Sequence, residues 1–65
     1  MYFTLDSKTG QKFEGYSSAH FEAQKISDRE NRPVKLFCHV YMGPGNFAHT
    51  VNGWHCAADK TVFPN

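Results

Sequence analysis

Apolar and polar residues alternate over the first five positions. Met1, Phe3 and Leu5 fall on one side and Tyr2 and Thr4 on the other, the period of two that marks a strand. Asp6-Ser7-Lys8-Thr9-Gly10 is turn chemistry, with a glycine free to take positive φ. Gln11 to Tyr16 is expected to return as a second strand and close a hairpin. Ser17 and Ser18 offer N-caps for a helix running to about Asn31. On it Ala19, Ala23 and Ile26 share one thin stripe and Phe21 points nearly opposite. So thin a stripe must be held by packing on a sheet rather than by intrinsic propensity. Arg32-Pro33 ends the helix, because proline disfavours helical geometry in the residue before it.

The clearest strand runs from Val34 to Met42. Val34, Leu36, Cys38, Val40 and Met42 make one face, and Lys35, Phe37, His39 and Tyr41 the other. Gly43-Pro44-Gly45-Asn46 fits a type II turn, after which Phe47 to Val51 is expected to pair back on that strand. Asn52-Gly53 is a strong hairpin signal that brings Trp54 to Ala58 alongside. Asp59-Lys60 reads as a further turn, and Thr61-Val62-Phe63 as a short edge piece. The pattern predicts an α+β fold: β-hairpin, one helix, β-meander, with the helix packed on one face of a small antiparallel sheet.

Length changes the picture by limiting the interior. A chain of 65 residues is expected to form a single domain (1–65) that buries only about 60% of its unfolded surface. Six Phe, three Tyr and one Trp compensate, since each aromatic buries about 150–250 Å². An apolar fraction of 40% against 20% charged argues for a folded globule rather than a disordered tail. Seven Lys and Arg against six Asp and Glu leave a net charge of +1, without the basic excess of a dedicated nucleic-acid binder. Two cysteines do not make the disulfide framework of a secreted mini-protein. The first residues have no basic n-region or apolar h-region, and no apolar run approaches the roughly 20 residues of a membrane span. The expectation is a cytoplasmic protein with no membrane partner.

Cys38-His39, His55-Cys56, His20 and His49 invite a metal reading. Zinc sites usually show paired ligands two to four residues apart, twice, and that spacing is absent. The register implied by the two turns puts Cys38 and Cys56 on one sheet face and His39 and His55 on the other, with His49 opposite Cys56. A His49/Cys56/Cys38 cluster is the metal alternative; the expectation is no metal and no cofactor, with the cysteines acting as small core residues. A Cys56–His49 nucleophilic pair would also need a cleft, an oxyanion donor and an orienting group, so catalysis is not expected. The turn glycines lack the strand-to-helix context of a phosphate loop.

Binding remains. With the aliphatic face of the Val34 strand taken as the one under the helix, Lys35, Phe37, His39 and Tyr41 form the outer set, with Arg32 and Phe21 as outlying contacts. Aromatics and arginine carry much of the energy of protein interfaces, so the leading expectation is a non-catalytic protein that occupies a surface of a larger macromolecule. A homodimer through that face would hide it equally well. The alternative is single-stranded nucleic acid stacked on Phe37, His39 and Tyr41.

From Gly15-Tyr16-Ser17-Ser18-Ala19-His20-Phe21-Glu22-Ala23-Gln24-Lys25-Ile26 into Pro33-Val34-Lys35-Leu36, and on to Val51-Asn52-Gly53-Trp54, the layout resembles small phage-encoded inhibitors of host machinery, the anti-CRISPR proteins and RNA-polymerase inhibitors among them. The resemblance covers most of the chain in layout and rests on no shared motif. It implies a phage or mobile-element inhibitor whose partner is a host protein or ribonucleoprotein complex, and no functional residue carries over from it.

Overall fold

The computed structural model describes residues 1–44 and 50–65. In chain order it holds β1 (Tyr2–Leu5), α1 (Tyr16–Glu30), β2 (Val34–Tyr41), β3 (Thr50–Val51) and β4 (Trp54–Val62). The described strands form one antiparallel sheet in the order β1-β2-β4-β3, and α1 lies across one face of it. The α+β architecture with a sheet-packed helix is as expected. No helix among the described residues is long and apolar enough to cross a membrane.

Alternation along the central strand decides the two faces. Val34 and Leu36 are fully buried under α1, together with Phe3 and Val62, and Leu5, Phe13, Ile26 and Cys38 pack around them. The aliphatic face is therefore the inner one. Burying a Val or Leu side chain is worth about 1.5–3 kcal/mol, so this small cluster is the main source of order. The helix approaches closely because the residues it turns inward, Ala19, Ala23 and Ser27, are all small. Ser27 also closes the helix end. Its hydroxyl donates to the Arg32 carbonyl at 2.6 Å, while Asn31 takes the left-handed conformation (φ 51°, ψ 50°) that turns the chain into β2.

Several local expectations are overturned. Gln11 to Tyr16 is not a strand: Phe13 makes a single bridge to Phe3, and Tyr16 already opens the helix. Gly15 is the N-cap, with no side-chain cap, in place of Ser17 or Ser18. The Tyr16 ring meets Phe3 edge-on at 5.7 Å, an anchor that fixes the helix start by tertiary contact. Asp59-Lys60 is not a turn either. β4 runs through it, with Leu36 opposite Lys60 and Phe37 opposite Ala58, so that Asp59 is a bulge.

The sheet order also departs from a simple meander. β4, not the strand before it, lies beside β2. β4, nine residues long, matches the eight residues of β2 and pairs along the whole of it, from Val34–Val62 to Tyr41–Trp54. Asn52-Gly53 does form the expected tight turn, with φ of 54° and 87°, the two positive values of a type I′ hairpin. The second half of the Gly43–Asn46 turn, most of the Phe47 to Val51 segment, and His49 lie outside the described residues.

Candidate functional site

The face of the sheet turned away from α1 gathers aromatic side chains from three strands. The register sets Tyr2 opposite His39 on one side of β2 and Cys56 opposite His39 on the other, with Trp54 opposite Tyr41 two pairs further along. Tyr2 stacks on His39 with ring centroids 4.2 Å apart and planes 8° from parallel. Trp54 leans on both neighbours, 5.1 Å from Tyr2 and 5.3 Å from Tyr41. Lys12 places its ammonium 4.8 Å from the centre of the Tyr2 ring, within cation–π range.

Between the β3–β4 hairpin and the loop after β1 this face opens into a cleft of about 420 Å³. Val51, Asn52 and Trp54 line it from the hairpin, Lys8 and Thr9 from the loop, and Tyr2, His39 and Cys56 from the sheet. His39 is 4% exposed. Its Nε2 is hydrogen-bonded to Thr4 Oγ1 at 2.9 Å and lies 3.7 Å from Cys56 Sγ. Burial, reinforced by the charges of Lys12 and Lys8, holds the imidazole below its ordinary pKa of 6.5, so it is neutral at pH 7. A cysteine nucleophile of the thiolate–imidazolium kind needs the protonated ring, which this surrounding opposes. The Cys56–His39 contact is thus a packed polar pair inside an aromatic wall.

The expected outer set is brought together only in part. Lys35, Phe37, His39 and Tyr41 do share the face away from the helix. Tyr41 is 52% exposed, Lys35 is exposed, Phe37 is half-buried and His39 is buried, so the face is a clustered wall with a cleft rather than an open platform. Arg32 and Phe21 do not join it. The Arg32 guanidinium forks onto Asp6 (3.1 and 3.0 Å) and bonds Glu30 through Nε at 2.7 Å. These carboxylates raise its pKa further and tie the helix end to the end of β1. Phe21, 70% exposed, projects from the helix on the other side of the sheet, beside Tyr16, His20 and Lys60.

Register accounts for what the sequence reading missed. It assigned Cys56 to the Cys38 face; Cys56 pairs with His39 instead, and Cys38 with Ala57. The bond from the Met42 amide to the Gly53 carbonyl, 2.6 Å, sets Tyr41 against Trp54, and a shift of one residue moves every side chain of a strand to the other face. Cys38 therefore packs against the core, where burial, then the charges of Asp59 and Cys56, raise its thiol pKa. Trp54, Cys56, Lys8 and Lys12 were readable as residue types but not as neighbours. Among the described residues no three His, Cys, Asp or Glu side chains converge as metal ligands.

Comparison with protein-family models, curated proteins and solved structures finds no match to this chain.

Proposed function

We propose that this chain is a non-catalytic binding protein that seats the outer face of its sheet on a surface of a larger macromolecule. The observation that carries this reading is the continuous ring cluster His39–Tyr2–Trp54–Tyr41 on the face away from the helix. Rings already packed against one another lose little freedom on binding, and that preorganisation favours affinity. Tyrosine and tryptophan are among the side chains that most often carry binding hot spots, and Lys8 and Lys12 place positive charge beside them. A binding role rather than a catalytic one is favoured by the neutral, Thr4-bonded state of His39 beside Cys56.

The test compares two faces of one molecule. Tyr41→Ser and Lys35→Glu alter the sheet face, and Phe21→Ser alters the helix side, each at an exposed position. Immobilised wild type and variants, checked for fold by circular dichroism, are used to capture macromolecules from a lysate of the source cells. Capture lost with the sheet-face changes and kept with Phe21→Ser is the expected result. The reverse pattern would reject this face. A mass in solution of twice the chain, reverting to one with Tyr41→Ser, would assign the face to self-association.

A further inference from the structure

We propose, resting on the reading of the sheet face above, that the cleft takes one unpaired base of a single-stranded nucleic acid against Trp54, with Lys8 and Lys12 receiving the flanking phosphates. Shape, charge and polarity each point to that occupant. The cleft, about 420 Å³, falls within the roughly 300–1,000 Å³ of small-ligand sites and is bounded by flat rings, which suits a planar group. Its charge is one-sided: Lys8 lines it, Lys12 stands over the adjoining Tyr2 ring, and no Asp or Glu is among its described lining residues. The same two lysines are felt electrostatically at His39 in the cleft floor. The small net charge of the whole chain thus conceals a local cationic rim complementary to phosphate.

Polarity narrows the choice further. Asn52 and Thr9 stand in opposite walls and offer amide and hydroxyl groups to the edge of a heterocycle, as single-strand readers do. Lys35 lies six residues before Tyr41 along β2, about 20 Å at strand rise, on the same face. A chain carrying one negative charge per unit can follow that track, whereas an apolar peptide would leave the lysines without a counter-charge.

The single tryptophan of the chain sits in the cleft wall and reports occupancy by its own fluorescence. Short oligo-dT and oligo-rU are titrated at several salt concentrations, with anisotropy of labelled oligomers as an independent readout. The expected result is quenching of Trp54, a dissociation constant tighter than about 10⁻⁴ M at low salt, and a log–log salt slope near −1.4 for two phosphates. Lys8→Gln and Lys12→Gln, both at exposed positions, should each remove about 0.7 from that slope. Trp54→Ala should weaken binding about 5- to 150-fold, the range for loss of one stacked base; Trp54→Phe, which keeps a ring, should weaken it less. Oligo-dU, which differs from oligo-rU only at the 2′-hydroxyl, is titrated as well, and a preference between those two identifies RNA or DNA as the source. Anisotropy binding that leaves Trp54 fluorescence and both lysine variants unchanged would overturn the proposal. So would absence of oligonucleotide binding, and if the sheet face still captures a protein, the reading of the face stands while this inference falls.

Discussion

Tyr2 lies flat on His39, 4.2 Å between ring centroids and 8° from parallel. This stack, with the loop that carries Lys8 and Thr9, leaves the imidazole 4% exposed. Burial and the two lysines then hold its pKa below 6.5. The unfolded chain takes up the His39 proton near 6.5, the folded chain only at lower pH. The folded state therefore binds fewer protons between those two values, and its stability falls as pH is lowered through that window. The melting temperature should be level between pH 8 and 7 and decline below about 6.5. His39→Asn should flatten that decline while lowering stability throughout. Asp28 and Glu30 are held below their usual carboxylate values by hydrogen bonds, from Asn65 and Gln24 for Asp28 and from Arg32 and Arg29 for Glu30. Their contribution is lost only at more acid pH, below the His39 window. Thermal melts at fixed ionic strength separate the two; an undiminished decline in His39→Asn would place the sensitivity elsewhere.

Gly53 is expected to tolerate no side chain. It has φ of +87°, and a Cβ there would stand 2.6 Å from the Gly43 carbonyl oxygen and 2.7 Å from Tyr41 Cε1. The backbone oxygen cannot swing aside. Gly53→Ala should cost about 2–4 kcal/mol from positive-φ strain and overlap together. That approaches the roughly 3–5 kcal/mol that a core of this size supplies. Urea unfolding of Gly53→Ala should show a midpoint moved to much lower denaturant, with a measurable unfolded population already in water. Asn52→Gly, which also relieves a positive φ (54°), should be nearly neutral.

Ser27 makes a smaller but separable contribution. The side chain is fully buried, and its hydroxyl holds the Arg32 carbonyl at 2.6 Å where the chain leaves the helix. Ser27→Ala removes that bond, at about 1–2 kcal/mol, and regains about half a kcal/mol of helix propensity. A net loss near 1 kcal/mol in denaturant unfolding, without change in slope, is the expected outcome. A stabilised Ser27→Ala would show that the bond contributes nothing.

Local patterns carried much of this fold. Alternation along β1 and β2, the Ala19/Ala23/Ile26 stripe and the Asn52-Gly53 turn are set by side chains within a few residues of each other, and all four appear as expected. The misses share a different origin. Asp59-Lys60 has turn chemistry, yet pairing with β2 carries the strand through it as a bulge. Gln11 to Tyr16 has strand character, yet only Phe13 meets β1 while Tyr16 is drawn into the helix by its contact with Phe3. The outer face was legible from β2 alone, whereas the partners that make it a cleft, Tyr2, Trp54, Cys56 and Lys8, arrive through pairings across the whole chain. The expected Cys38–Cys56 face followed from setting the segment before Trp54 beside β2; β4 lies there instead and pairs Cys56 with His39, and no local signal decides which strand becomes the neighbour.

The two cysteines should differ in reactivity because they lie on opposite faces. Cys38 packs against the core, and burial together with the negative charge of Asp59 disfavours its thiolate, the reactive form. Cys56 lines the cleft and is reached from solvent without opening the sheet. Both thiols are half-buried, so a thiol reagent at neutral pH should modify Cys56 quickly and Cys38 more slowly, in keeping with its disfavoured thiolate. Cys56→Ser should abolish the fast phase, and Cys38→Ser should leave it intact. Mass spectrometry of the partly labelled protein assigns each site. Because Cys56 lies opposite His39 and two residues from Trp54 on the same face of β4, a bulky label there should also fill the cleft and change tryptophan emission, whereas a label reaching Cys38 first would refute the assignment of faces.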